Sequence, residues 1–487
     1  MERLDCHGQF PHRLPGDRID VRERLVISTQ VRAGAATSAP LVRANEILLY
    51  LLFASAFVLG GSSGDASLRI FLICVAASAS LSVALAAGAW GAVRKLPILL
   101  RIALFLIPLV PLLQLIPLPP GLWDALPGRE VPKAVFALVG VEGQSHPLSL
   151  TPAATWLALL MLLPPYAAFF AASLLDDRGR QRCVGLFLAL VVLSVLVGVI
   201  QVGSAGGALN FYNSAHRGNL IGFFANRNHE GVVLAITAVF SIAFVNARAP
   251  SRQSAIAWSA VLTITLLAAV IGTISRAALG LMLLGLFASI SLYLVGGQGK
   301  RRLWLLATSA VVLAAMIYFF SFSTVVANAL ARFNDVAENG RSEIWHNSWP
   351  LVGQYFPWGS GLGSFVSAYA AREPLDQVSI YYVNSPHDEY LGLLIETGIP
   401  GILVLALFAA ALVVRGIGLV RDPASGGTYA IPAGLSIGLI ALHSIVDYPL
   451  RTPTGIVLFA ILLVLFYSGP SGRKRVRVRA NDVGAEG

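Results

Sequence analysis

Apolar runs of about twenty residues recur along this chain, each long enough to cross roughly 30 Å of hydrocarbon at 1.5 Å per residue. About twelve are legible, near 46–62, 69–90, 96–116, 153–174, 183–203, 229–246, 255–273, 277–295, 303–322, 399–415, 429–446 and 453–468. Inside a bilayer the backbone must satisfy its own hydrogen bonds, and unbroken apolar runs of this length do so as helices. The expected fold is therefore all-α: a polytopic integral membrane protein of about twelve transmembrane helices, with a large loop between helices 9 and 10. Composition agrees, because 12% of the 487 residues are charged, against roughly 25% in a soluble domain.

The net charge of +10 does not read as a nucleic-acid surface, because the basic residues form short clusters between the apolar runs. With twelve alternating helices, Arg94-Lys95, Arg178/Arg180/Arg182, Arg248/Arg252, Lys300-Arg301-Arg302, Arg415/Arg421 and Arg473-Lys474-Arg475 all fall on one side. The positive-inside rule makes that side the cytoplasm and puts both termini there. The expected organisation is a basic, disordered cytoplasmic tail over 1–43, helices 1–9 over 44–322, an external catalytic loop over 323–398, helices 10–12 over 399–470, and a basic cytoplasmic tail over 471–487. The leader lacks an apolar core with a cleavage site and so does not read as a signal peptide. Cys6, Cys74 and Cys183 are scattered, which gives neither a disulfide framework nor a metal spacing.

On this topology the unusual polar residues gather on the external side. LIPLPPGLWDALPG, within 117–152, reads as turns with an interfacial Trp123, a structural segment. The segment ending in GNLIGFFANRNHEG places Arg217, Asn226, Arg227, Asn228, His229 and Glu230 at the mouth of helix 6. These residues suit a polar ligand, and equally a helix cap with an interfacial arginine. Arg276 sits between two apolar runs with hardly any linker; snorkelling explains it, yet an external arginine runs against the positive-inside bias and points to function.

Within the large loop, Arg341 and Trp345 are four apart and share a face if helical. A guanidinium beside an aromatic suits phosphate or a sugar face, the alternative being a solvated pairing with Glu338 or Glu343. The glycines of WGSGLGSF read as a tight turn, since no strand precedes them and no lysine follows. Trp349, Trp358, Tyr369, Tyr381, Tyr382 and Tyr390 fit a glycan groove or an interfacial belt. His387 follows a proline and precedes the apolar run YLGLLI, where a short helix or re-entrant segment begins; an imidazole there is a suitable general base for a hydroxyl. His387-Asp388-Glu389 and His229-Glu230 supply metal-ligand types, but adjacent helical residues diverge by about 100° and no HExxH or DxD pattern occurs, so no metal site or cofactor is expected. His443 and Asp447 are four apart with Arg451 just beyond, and are expected to face each other, as mutual satisfaction or as a supporting shell for the site.

These residues resemble the O-antigen ligase and polymerase superfamily of polytopic glycosyltransferases. The ligase pattern, His-[Asn/Ser/Gln]-x9-Gly-x2-[Gly/Thr/Tyr], is matched by His387, then nine residues after Asp388, then Gly398 and Gly401, with Asp388 departing at the second position. The resemblance implies a bacterial inner-membrane enzyme with the large loop in the periplasm. Its donor is a polyprenyl-pyrophosphate-linked glycan, its acceptor a lipid or glycan hydroxyl, and membrane lipids surround it. It further implies that Arg276 and Arg341 grip the donor pyrophosphate and that His387 acts on the acceptor hydroxyl, with inversion. The residues themselves allow metal-independent transfer, because fixed guanidiniums in a low-dielectric site stabilise a pyrophosphate leaving group. Ligation to lipid A-core is the leading expectation, repeat-unit polymerisation the second. A transporter or flippase of lipid-linked glycans is the rival of another class, and would more often show repeats and broken helices near mid-membrane.

Overall fold

The computed structural model describes residues 21–64, 67–212, 214, 216–294, 336–378 and 382–470. The first twenty residues, the apolar run at 303–322, the basic cluster at 300–302, the start of the large loop, Tyr381 and the C-terminal tail lie outside the described residues.

Seventeen α-helices are present among the described residues. They are α1 (Val21–Leu59), α2 (Ser67–Ala86), α3 (Ala89–Val93), α4 (Ile98–Gln114), α5 (Pro120–Asp124), α6 (Glu130–Leu138), α7 (Pro152–Leu160), α8 (Leu163–Ser173), α9 (Asp177–Gly203), α10 (Arg227–Asn246), α11 (Arg252–Thr273), α12 (Arg276–Leu294), α13 (Val336–Tyr355), α14 (Phe365–Ala370), α15 (Glu389–Arg421), α16 (Ala430–His443) and α17 (Pro453–Tyr467). The protein is an all-α polytopic membrane protein. Among the described residues seven helices or helix pairs have the length and hydropathy of a span, and four shorter apolar helices accompany them. Together they cover each described apolar run read from the sequence.

Three details differ from the expectation. Helix α1 already begins at Val21, within the segment read as a tail, although its span-like part is Pro40–Leu59. The run at 153–174 is divided into α7 and α8, because Pro164 and Pro165 cannot donate the backbone bonds that would continue one helix. The run at 399–415 is the later part of α15, which starts ten residues earlier at Glu389 and is interrupted by the non-helical Gly398 (φ 57°, ψ −146°).

Helix α10 is the enclosed centre: 78% of its apolar window is buried, against 11% for α15 at the periphery. It packs against α9, α11, α12 and α16, while α1, α2, α8 and α17 form the adjoining group. Phe53, Phe57, Phe187, Phe224 and Phe240 interlock edge-on and stacked through this core. The starts of α10, α12, α15 and α17 and the ends of α11 and α16 meet at one end of the bundle, where α13 and α14 cover them. The only strands among the described residues, Pro117–Leu118 and His146–Pro147, pair antiparallel and close off a small lobe holding α5 and α6.

Candidate active site

Asp447 organises this end of the bundle. It lies in the short connection between α16 and α17, its side chain fully buried. The Nδ2 of Asn228 donates to its Oδ2 at 2.7 Å, the backbone N–H of Tyr448 donates to Oδ1 at 2.9 Å, and Asn226 Nδ2 is 3.4 Å from both oxygens. Arg341 NH2 reaches Oδ2 at 3.4 Å, while His229 Nε2 and His387 Nδ1 approach Oδ1 at 3.5 and 3.7 Å. Burial opposes ionisation of this carboxyl, but the imidazoles of His229 and His387 outweigh it and hold Asp447 well below the usual carboxylate range.

Each donor is aimed by its own segment. Asn226 caps α10, its side chain accepting from the N–H of Asn228, which leaves its amide nitrogen to turn toward Asp447. Asn228 is held on its other side by Ser275 Oγ, donating at 2.7 Å to Oδ1. Ser275 stands at the α11–α12 junction immediately before Arg276, so one chain of bonds ties Asp447 to the arginine's backbone position. Arg227 and Arg341 both lie close enough to Arg276 to oppose its charge. Asn226 is thus the helix cap expected of it, and the amide nitrogens of both asparagines turn to Asp447.

Arg341 and Trp345 do share a face of α13: the first reaches Asp447, and the indole Nε1 of the second donates to Pro386 O at 2.7 Å. Arg341 thus has Asp447 as a partner; the side chain of Glu338 lies outside the described residues. His387 adopts φ 53°, a left-handed conformation that non-glycine residues seldom take and that the surroundings must enforce. They do so on both sides. Asn384 Nδ2 bonds the Tyr448 hydroxyl at 3.3 Å, and beyond the histidine Glu389 accepts from Leu450 N–H at 2.6 Å and from Ser444 Oγ at 3.1 Å. Tyr448 also fills the space between the two imidazoles, with ring centres 5.2 Å from His229 and 5.0 Å from His387. His387 remains 23% exposed although its Nδ1 is buried toward Asp447, so the opposite edge of the ring faces outward.

Asp388 is the N-cap of α15, accepting from the N–H groups of Tyr390 and Leu391 at 2.9 and 3.0 Å. Burial raises its carboxyl above the usual range while those two backbone donors lower it. His443 is buried within electrostatic reach of Asp447, but the expected mutual pairing is not formed: neither imidazole nitrogen has a hydrogen-bond partner among the described residues. Asp447 turns to α10, α13 and the His387 segment instead. Arg217 sits on an exposed turn with its Cβ against Gly206. The aromatics of the large loop divide: Tyr369 is core, with Leu351, Tyr355 and Phe365, whereas Trp349, Trp358 and Tyr382 are exposed.

The glycine-rich turn is occupied by the protein itself. Ser360 and Gly361 donate their N–H groups to Ile395 O and Glu396 O, and Leu362 N–H donates to Gln114 Oε1, so the loop wraps the interruption in α15. Gly398 belongs to the same arrangement, since a Cβ there would lie 2.1 Å from Pro357 O; Gly401 packs on the Thr397 side chain. Arg451 donates to the buried Glu396 at 2.9 Å below this turn. The sequence reading passed over Tyr448, Ser275, Asn384 and Glu396, ordinary residue types whose importance lies in where distant segments bring them. Among the described residues no group of three or more His, Cys, Asp and Glu side chains is arranged to hold a metal ion.

The fold and this end of the bundle define a membrane protein in which Arg341, His229 and His387 converge on one buried carboxylate. A family model described as O-antigen ligase (Wzy_C) matches residues 260–406. The chain thus carries a domain consistent with the O-antigen ligase and polymerase superfamily, which supports a membrane glycosyltransferase acting on lipid-linked glycans. Arg276, Arg341, Trp345, His387 and Gly398 fall inside the matched segment; the Asn226–His229 cluster and Asp447 fall outside it. No curated protein matches the sequence.

Proposed function

We propose that this protein transfers a glycan from a polyprenyl-pyrophosphate carrier to an acceptor hydroxyl on the periplasmic face of the bacterial inner membrane, with both termini cytoplasmic. The observation that carries the reading is that Arg341 and His387 address the same buried carboxylate while Arg227 and Arg276 add charge beside them. Three guanidiniums and an imidazole at a partly dry surface favour a multiply charged anion next to a proton acceptor.

In the proposed step the acceptor oxygen forms a bond to the anomeric carbon as the bond from that carbon to the pyrophosphate oxygen breaks. The hydroxyl proton passes to the outward nitrogen of His387, and Asp447, on the Nδ1 side, stabilises the imidazolium. Negative charge accumulates on the departing pyrophosphate, where Arg276 and Arg341 lie ready without solvent reorganisation. A donor gripped on one side of the reacting carbon with the base on the other would give inversion. These guanidiniums supply the charge that a divalent cation would otherwise provide, so the reaction is metal-independent. Lipid A-core is the leading acceptor, and a growing polysaccharide chain the second.

Purified protein reconstituted with a lipid-linked glycan and candidate acceptors tests this. Product of one added glycan supports ligation, and a ladder of lengths supports polymerisation. Movement of the intact glycolipid across the bilayer without product refutes transfer and favours a transporter.

A further inference from the structure

The connection from α4 to α7 folds into the lobe closed by the Pro117–Leu118 and His146–Pro147 pair. Its inside is aromatic: Phe136 and His146 stack, Trp123 packs tilted against both, the indole donates to Pro147 O, and the buried Arg129 lies over the indole ring. Its outside is not polar. On α6, Val131, Val135 and Leu138 are 62%, 48% and 87% exposed, and at about 100° per residue they fall within roughly 60° of one another. Lys133, on the roughly opposite side, pairs with Asp124 at 3.0 Å, and Phe136 points into the stack.

Position decides what covers that stripe. The strand pair begins three residues after α4 ends at Gln114 and finishes five before α7 starts at Pro152. Both neighbouring helices are apolar membrane segments, so the lobe stands at the bilayer boundary on the side of Asp447. Leu112, Leu113 and Ile116 of the segment that leads into the lobe are exposed as well.

We propose that the Val131–Val135–Leu138 face of α6 is a membrane-docking surface, lying in the headgroup–acyl boundary of the bilayer with Lys133 and Asp124 toward water. A short helix with one apolar and one charged face is suited to that plane, its apolar side in the acyl boundary and its charged side in water. Gly128 of the lobe abuts the Tyr355 ring of α13, the helix that carries Arg341.

The unmodified protein tests this in nanodiscs containing a phospholipid with a photoactivatable diazirine high on its acyl chain. Adducts are expected on Val131, Val135 and Leu138 at yields comparable with those on Leu113. Adducts on Leu113 with none on α6 overturn the proposal. A nitroxide at Leu138→Cys is expected to collide more with oxygen than with a water-soluble nickel chelate, and one at Lys133→Cys the reverse. Equal nickel access at both positions places α6 in water and refutes the docking.

Discussion

Replacing Asp447 by asparagine is the most informative single change. The side chain is isosteric, so packing is kept while the charge is lost. One oxygen remains for the Tyr448 N–H, but an NH2 group then faces Asn228 Nδ2 across the present 2.7 Å bond. Losing a hydrogen bond to a charged acceptor costs about 1.5–3 kcal/mol, and leaving a buried donor unpaired about 1–3 kcal/mol. The Arg341 contact adds little, since that guanidinium is 27% exposed and partly solvated. A destabilisation of about 3 kcal/mol is expected, near the lower end of values for a broken buried pair.

The pH dependence fixes the cause. The folded carboxyl is depressed, so the stability it contributes is fully present above its unfolded value near 3.9 and is lost as pH falls through the folded value. The gap in melting temperature between wild type and Asp447→Asn in nanodiscs should therefore be constant from pH 8 to about pH 5 and narrow below about pH 4. Turnover should fall by at least about 10²-fold, because His387 loses the carboxylate behind its Nδ1; the corresponding loss in serine proteases reaches about 10⁴-fold. A variant that melts and turns over like wild type at neutral pH refutes the role of Asp447. So does a gap that persists unchanged in acid.

Arg341→Lys should impair transfer and weaken donor binding although the charge is retained, since an ammonium lacks the planar fork that engages two phosphate oxygens; wild-type kinetics would refute phosphate gripping. Gly398→Ala should fail to fold or lose several degrees of melting temperature, because its φ and ψ lie in a region essentially reserved for glycine and a Cβ would meet Pro357 O; a wild-type melt would show that the interruption of α15 relaxes at little cost.

The membrane architecture was legible because each described span announces itself by composition alone, and hydrocarbon allows few other structures. The interruption of α15 was half legible: the glycines at 398 and 401 were matched as a motif, but only the close approach of Pro357 gives a reason for the first of them. Asp388, which departs from the motif's second position, is a helix cap, and asparagine, serine and aspartate all cap well. Arg341, Trp345 and His387 stood out because such residues are conspicuous in an apolar chain. Asp447 was read against its helical neighbour His443, since spacing reports neighbours within one helix and is silent about contacts between distant segments. Its principal side-chain partners come from positions 226, 228, 229, 341 and 387, and only the assembled bundle brings those together. Tyr448 was missed for the same reason: nothing in a tyrosine beside an aspartate tells that two imidazoles will close on its ring.

The central claim is that the arginines hold the donor while His387 moves the proton, and these roles separate in one experiment. His387→Ala, purified folded in nanodiscs, is compared with wild type for binding of a labelled lipid-linked glycan and for single-turnover transfer to an acceptor. Donor binding should be nearly unchanged while transfer slows by about 10²–10⁴-fold, the usual loss for a general base. Transfer at the wild-type rate by the folded variant would contradict the account.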